Sequence, residues 1–439
     1  MSSKIYFKIT DKTECENDFQ LTDGLNIYQG EFNDDSKDIK TLIYFFKSKY
    51  IIQFLGCGTY LRKVFLPTDN PDFRMIKDPE RKKYDANMIV LGKRRDLRNP
   101  ETWEYLISIG VDIHYNGYAF IWACNEGHFE VVKFLIKCGV NIHAYKISVL
   151  SWPSYYGHSK IVKYLVECGA NIHADDDDAL KLASQGGQLK IVKYLIKCGA
   201  NIHAENDYAL VLACKDGHLE VVKYLVECGA DIHADGDYAL VWASRKGHLE
   251  VVKYLLESGA DIHVYDDDAL VQASRCGYLE IVKYLVKNGA NISSNDNNAL
   301  VLASRGRHFD VIKYLIECGA DIHVGDDCPL YWALVNNNLD LIKFLVKNGA
   351  NIHADNNNAL RCASENGNLD IVKYLVECGA DIHAENDGAL IWASNNGHLE
   401  IVKYLVECGA DIHTNDGEAL EQALKKGHSE VVEYLENLS

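Results

Sequence analysis

The chain of 439 residues is 48% hydrophobic and carries 63 acidic against 45 basic side chains, a formal net charge of −18 at pH 7. Residues 1–100 hold 18 basic and 15 acidic groups, so the excess lies beyond them, at −21. A balance this acidic opposes binding to nucleic-acid phosphates or anionic lipid, both of which need clustered Lys and Arg.

The opening segment MSSKIYFKIT lacks the apolar centre of a signal peptide, and the longest apolar stretches, Leu42 to Phe46 and Ile51 to Leu55, fall far short of the ~20 residues that span a bilayer. The chain reads as soluble and not secreted. Residues 1–95, with Pro100 at the junction, hold four of the six prolines and lie outside the repetition that follows. Thr41 to Phe46 reads as an apolar strand, Tyr50 to Leu55 as a short helix or second strand, and Leu61 to Leu66 and Ala86 to Leu91 have β-like content. A small α+β leader domain is expected. Two basic clusters, Arg81 to Lys83 and Lys93 to Arg98, have the spacing of a two-part nuclear localisation signal. The plainer reading, a solvated domain edge interleaved with Asp85 and Asp96, is preferred.

Residues 96–116 form a junction with a partial first repeat, Gly110-Val111-Asp112-Ile113-His114. From there the segment Gly-Ala-Asp/Asn-Ile-His recurs with a period of 30, its glycine at Gly139, Gly169, Gly199, Gly229, Gly259, Gly289, Gly319, Gly349, Gly379 and Gly409. Each copy is followed by two amphipathic patterns separated by a glycine. In one unit Ala209, Leu210 and Ala213 share a face of the first helix, and Leu219, Val222, Leu225 and Val226 form the stripe of the second. Gly217 ends the first helix where positive φ is needed, and Glu220 lies in the first turn of the second. Helices below about 12–15 residues are marginal alone, so the pairs must stack. Residues 117–439 are therefore expected to form a solenoid of about eleven helix pairs, roughly 100 Å long at about 8–10 Å per pair.

Gly-Ala-Asp-Ile-His and Gly-His-Leu-Glu-Val-Val-Lys-Tyr-Leu resemble the two signature halves of the ankyrin repeat, over about three quarters of the chain. The chain departs from that family in its period, 30 residues in place of about 33, and in having Ala-Leu where the family has Pro-Leu-His; Pro329-Leu330 alone keeps the proline. The resemblance places the missing residues in the β-hairpin finger, so short fingers are expected. The 30-residue variant is similar to the ankyrin proteins of giant DNA viruses of amoebae. Asp23-Gly-Leu-Asn, Leu66-Pro-Thr-Asp-Asn and Asn87-Met-Ile-Val-Leu-Gly look like the leader of the same group, which implies no activity.

Cys138, Cys168, Cys198, Cys228, Cys318, Cys378 and Cys408 fill one repeat position. At about 8–10 Å per unit they are too far apart for bridges, which need Cα atoms within about 7 Å, so reduced thiols in an intracellular setting are expected. The histidines form two ladders, one in the Ile-His copies (from His114 to His413) and one after the inter-helix turn (His128, His158, His218, His248, His308, His398, His428). Zinc needs three or four converging ligands, which a ladder lacks; hydrogen bonds to turn backbone are expected instead. Acidic runs such as Asp175 to Asp178 and Asp266 to Asp268 miss the calcium-loop pattern. Phosphate loops and nucleophile elbows are absent, so no catalytic residue, cofactor or metal is expected. Trp122, Trp152, Trp242, Trp332 and Trp392 share a position read as core.

In ankyrin proteins partners are usually held by the fingers and the end of the first helix, on the concave side. That resemblance directs attention to Asp177, Asp178, Asn206, Asp207, Tyr208, Asp237, Tyr238, Asp267, Asp268 and Asn297 at the fingers, and to Tyr155, Tyr156, Lys215, Arg245, Lys246, Arg275, Arg305 and Arg307 at the helix ends. Arg245, Arg275 and Arg305 should form a row beside a row of carboxylates, pairing with them or gripping an acidic partner segment. Units four to seven are expected to carry the main surface, with Tyr208 and Tyr238 as aromatic anchors. Pro153, several residues into a first helix, should kink the second unit. The last unit, with Glu418, Glu421, Gln422, Lys425, Lys426, Glu433 and Glu436, reads as a polar carboxy-terminal cap with no adaptor box beyond it. The leading expectation is a monomeric, non-enzymatic protein-interaction scaffold, viral, in the host cytoplasm and without nucleic-acid or membrane partners. The alternatives are an effector or enzyme in residues 1–95 with the repeats selecting its target, and a structural or packaged virion component.

Overall fold

The structure, a computed structural model, describes residues 5–16, 19–28, 43–78, 82–143 and 148–438. Thr41, Leu42 and Arg81 of the expectations above lie outside the described residues. The chain gathers into two compact bodies, residues 1–212 and 213–439.

The amino-terminal body opens on strands β1 (Tyr6–Thr10), β2 (Cys15–Glu16), β3 (Phe19–Gln20), β4 (Gly24–Ile27), β5 (Ile43–Lys47), β6 (Tyr60–Phe65), β7 (Met75–Lys77), β8 (Lys83–Ala86) and β9 (Met88–Asp96). Seven form one antiparallel sheet in the order β4-β9-β6-β1-β5-β8-β7, and β2 pairs with β3. β1 sits at the centre, buried along its whole length. Successive side chains point to opposite faces: Tyr6 packs edge-on to Phe45 and Tyr84 in a core with Leu21, Val64 and Ile89. From the other face Phe7 meets Tyr105, while Phe46 stacks on Phe54 at 4.3 Å. Phe54 belongs to a 3-10 helix, Ser48–Cys57, which occupies the stretch read as a short helix or second strand.

The leader thus holds more strand than its sequence suggests. Its centre is also charged. Lys8, almost wholly buried, donates to the Tyr44 carbonyl at 3.1 Å and lies over the Tyr44 ring. Arg62, equally buried, pairs with Glu14 and Asp23. Lys8 breaks the apolar pattern that marks a strand, so β1 gave no strand signal.

The helix Pro100–Ser108 follows, with the Asn99 side chain accepting from the Glu101 N–H and Pro100 in its first turn. Trp103 Nε1 donates to the Leu97 carbonyl at 2.7 Å and ties this helix to the end of β9. Among the described residues, eleven helix pairs run from Tyr118–Asn125 with Phe129–Lys137 to Thr414–Lys426 with Ser429–Glu436. Within each body first helices stack on first helices and second on second. In the sixth unit Ala269, Leu270 and Ala273 face Ile281, Val282 and Leu285, all buried. In the fourth, Val221 joins Val222 and Leu225 inside, and Leu219 and Val226 are only half-buried.

Gly277 ends the first helix of the sixth unit at φ +79°, and a Cβ there would come within 2.3 Å of the His308 ring. A left-handed turn and a close approach by the next unit both exclude a side chain at this point.

The fingers are short, as expected: among the described residues no strand follows Asp96. The shortened connection is a run of left-handed residues, Tyr265, Asp266 and Asp267 at φ 48°, 55° and 59° in the sixth unit, rich in the Asp and Asn that tolerate this conformation. Pro153 does not kink its unit. The helix Ser151–Tyr155 begins late, which places Pro153 in the first turn where its missing N–H costs nothing.

Candidate functional site

Both histidine ladders are structural, by different contacts. In the ladder after the inter-helix turn, Nε2 donates to the backbone carbonyl at the end of the preceding unit's first helix: His158 to Asn125 at 2.8 Å, His248 to Lys215 at 3.0 Å, His308 to Arg275 at 2.9 Å, His398 to Glu365 at 3.1 Å and His428 to Asn395 at 2.9 Å. Helix carbonyls left without intrahelical partners are satisfied across units. Gln188, which replaces His, does the same with its amide, to Tyr155 at 3.2 Å. Asn338 and Asn368 instead accept from Leu341 and Ile371 N–H and cap their own helices.

In six units of the Ile-His ladder the partner is a carboxylate four residues on, and for His353 it is the Asn357 amide oxygen, which corrects the expected backbone contact there. Asp267 Oδ1 accepts from His263 Nδ1 at 3.0 Å and from the Asn291 N–H at 2.8 Å, and Oδ2 accepts the Ser294 hydroxyl. Asp237 accepts from His233 and the Asp261 N–H, and Asp177 from His173 and the Asn201 N–H. The hydrogen bond to Asp237 holds the His233 imidazole above its usual pKa. These carboxylates stitch one unit to the next.

Asp237 and Asp267 are therefore not free to meet a partner: they are 5% and 3% exposed and their oxygens are occupied. Asp177 and Asp207 are buried in the same way. The spacing His-x-x-x-Asp, repeated in six units from His173 to Asp387, was the signal in the sequence. It marked a nearly constant position among residues taken as variable.

The helix ends behave differently. Lys215, Arg245, Arg275 and Arg305 occupy one position in four successive units, Arg245, Arg275 and Arg305 are exposed, and none of the four makes an ion pair among the described residues. Of the carboxylates expected beside them, Asp237 and Asp267 are turned into the stack. Arg307 and Lys246 are exposed nearby and equally unpaired. Two other cations on first helices are neutralised: Arg361 lies 3.7 Å from Glu365 and 3.6 Å from Glu385, and in the amino-terminal body Lys181 lies 2.9 Å from Glu205; Lys425 and Lys426 of the last unit are exposed, like the row. The row sits in the last turn of its helices, where the dipole favours cations, so the scaffold tolerates it without a partner. The histidine bonds to the Lys215 and Arg275 carbonyls fix the backbone beneath it.

Trp242 is the centre of the row's first half. Lys215 Nζ and the Arg245 guanidinium each lie 4.9 Å from its ring and Lys246 Nζ 6.0 Å, with Tyr238 edge-on at 5.8 Å. Reading the Trp position as core is thereby corrected. Trp152 and Trp392 are 43% and 37% exposed, because this residue faces away from the second helix.

Tyr208 belongs to the amino-terminal body and is exposed. That body presents a surface of another kind. Tyr115, Tyr118, Trp152 and Tyr156 are all exposed aromatics, with Trp152 and Tyr156 stacked at 5.9 Å. Tyr115, Tyr118 and Trp122 line a cleft of about 510 Å³ with Ile52 and Leu55 of the 3-10 helix. A second cleft of about 230 Å³ in the leader is lined by Lys8, Thr10, Asp11, Glu14, Cys15, Tyr44 and Cys57. Its carboxylates are engaged: Glu14 holds Arg62 and the Thr10 hydroxyl, and Asp11 accepts from Thr13 and the Glu14 N–H. In the carboxy-terminal body a cleft of about 420 Å³ lies beside Tyr331 and Trp332.

All fourteen cysteines are unbridged. Among the described residues no group of His, Cys, Asp or Glu is placed to hold a metal, and no helix is long and apolar enough to cross a membrane. In the second basic cluster Lys93, Arg94 and Arg95 lie in β9. Arg94 and Arg95 rest on the rings of Tyr60 and Tyr105, and Arg98 chelates Asp96.

Comparison with known proteins agrees with this architecture. The family profile described as ankyrin repeats (3 copies) matches residues 95–176, 180–266, 263–326, 324–386 and 383–437. A putative ankyrin repeat protein of Acanthamoeba polyphaga mimivirus is 46% identical over 157 residues, covering 34% of this chain and 78% of the relative. An uncharacterized protein of the same virus is 47% identical over 139 residues, 31% of this chain and 100% of the relative. A further putative ankyrin repeat protein of that virus is 45% identical over 138 residues, 31% of this chain and 42% of the relative. With its helix pairs, its inter-unit histidine bonds and these matches together, the chain belongs to the ankyrin-repeat family and is closely related to ankyrin-repeat proteins of mimivirus.

Proposed function

We propose that the chain is a non-enzymatic scaffold of viral origin that binds a host protein through the first-helix ends of units four to seven. The observation that carries this reading is the row Lys215, Arg245, Arg275 and Arg305, unpaired and set around and beyond Trp242 in a repeat region of net charge −21. Four aligned cations without counter-charge in successive units of an otherwise acidic array make a surface suited to an anionic partner. Arg and Trp are also the residues that most often dominate protein interfaces. We place its action in the host cytoplasm, as a monomer, without membrane or nucleic-acid partners. Nuclear entry through Arg81 to Lys83 and Lys93 to Arg98 is disfavoured because Arg94 to Asp96 is paired into the sheet.

The test is affinity capture from host lysate with the full chain and with the Arg245→Glu, Arg275→Glu, Arg305→Glu triple variant, each followed by mass spectrometry. A discrete protein recovered by the wild type and lost from the variant is the expected result. Unchanged recovery would sink the assignment of the surface.

A second reading, an effector activity in residues 1–95, draws on the cleft at Lys8, Thr10, Glu14, Cys15 and Tyr44. The engagement of its carboxylates by Arg62 and Thr10 makes it the weaker of the two. Turnover of a lysate component that is abolished by Lys8→Met and kept by the triple variant would reverse that order.

A further inference from the structure

The spacing of the cation row carries information about the shape of its partner. Successive first helices of the carboxy-terminal body pack directly on one another, Tyr238–Lys246 on Val264–Cys276 and that helix on Ser294–Arg305, so equivalent side chains recur about every 8–10 Å. A polyproline II segment advances about 3.1 Å per residue with three residues per turn. Its every third side chain lies on one face at intervals of about 9 Å. A β-strand fails this match, because residues three apart point to opposite faces and residues two apart are only about 6.6 Å apart. An α-helix presents successive turns about 5.4 Å apart, and two turns overshoot.

Resting on the protein-binding role proposed above, we infer that the row receives an acidic segment in polyproline II conformation, with Glu or Asp at every third residue. Arg245, Arg275 and Arg305 each take one carboxylate, and their planar guanidinium groups can do so with two parallel hydrogen bonds. Trp242, half-buried between Lys215 and Arg245, offers an aromatic face to a proline of the same segment, the contact by which aromatic-lined grooves take this conformation. The run of cations defines the length of the footprint: the equivalent position is Gln185 before it, and Val335 and then Glu365 after it. Four units therefore read about ten residues of the ligand.

Two synthetic peptides of equal charge test this against the full chain by fluorescence anisotropy at low and physiological salt: one with four Glu spaced every third residue among prolines, one with four Glu every second residue. The expected result is at least tenfold tighter binding of the first, weakening with salt, with the preference removed by Arg275→Glu and reduced by Arg275→Gln. Arg361→Glu, outside the row and already paired, should leave it unchanged. Helicity by circular dichroism identifies any variant that fails to fold, and the wild-type comparison of the two peptides stands without the variants. Equal binding of the two peptides, or no binding of either, overturns the inference. So does tighter binding of single-stranded oligothymidylate of matched charge, which would mark a nucleic-acid groove. If the arginines are needed for capture of a protein but the peptides show no preference for register, the inference falls and the protein-binding surface stands. If charge reversal leaves capture unchanged, both fall.

Discussion

The first-helix surface of the amino-terminal body is aromatic, with Tyr118 and Trp152 exposed near the helix starts and Tyr156 at a helix end, whereas the helix ends of the carboxy-terminal body are cationic, with Arg245, Arg275 and Arg305 exposed and unpaired. Beneath both surfaces the construction is the same. Leu195 and Leu285 are fully buried at one position of the second helix, and Asp177 and Asp267 take the same histidine and backbone donors. The difference teaches that stacking in this array depends on residues pointing between units. The ends of the first helices are free to differ, and it is there that recognition can be written without cost to the fold.

The comparison breaks at once if the two bodies are not built alike. Leu195→Ala and Leu285→Ala should each cost about 2–5 kcal/mol by creating a cavity, measured as urea midpoints with unchanged slope. A loss confined to one of them would show that the shared position is packed differently. Asp177→Ala and Asp267→Ala come next, at about 1–3 kcal/mol each for buried donors left without an acceptor. Hydrogen exchange should reveal new opening at the Asn201 and Asn291 amides. An effect indistinguishable from zero would remove these carboxylates from the account of stacking.

Surface changes sharpen the contrast. Arg275→Ala and Trp152→Ala should each alter stability by no more than about 0.5 kcal/mol, while Arg275→Ala weakens capture of an acidic partner and Trp152→Ala does not. Destabilisation by Arg275→Ala would mean that the row serves the scaffold. The smallest effect concerns pH. The hydrogen bond to Asp237 raises the His233 pKa, so its contribution to stability is full below the ordinary imidazole pKa and is lost as pH rises through the raised folded value. An NMR titration of His233 should show the elevated midpoint, and Asp237→Asn should lower it.

How much was legible follows from these positions. The period, the helix pairs and the glycine at the turn were readable because each unit repeats the same local demands; Gly277 meets the His308 ring, whereas Arg307 and Asn337 hold the same left-handed turn where Asn follows in the next unit. The cation row was readable because its residues recur every 30 positions. The roles of Asp237 and Asp267 were not, since a carboxylate in a polar loop has the same composition whether it faces water or the next unit. Trp242 misled for a related reason: an apolar residue at a constant position suggests a core, yet here the constant side points outward.

The sequence by itself determined a stack of helix pairs, because helices this short and this amphipathic cannot stand alone. It also determined the acidic balance of the repeats and the aligned cations of four units. Only the tertiary structure decided which charges are available. Asp267 and Arg275 are both charged residues of the sixth unit, but the left-handed turn swings the carboxylate into His263 and the Asn291 amide, while the helix end leaves the guanidinium in solvent. The leader's sheet was also settled only by three-dimensional pairing, because β1 carries a lysine whose burial depends on the Tyr44 carbonyl and ring of a neighbouring strand. Burial is a property of neighbours brought from elsewhere in the chain, and local pattern records it only where every neighbour is a copy of the same unit.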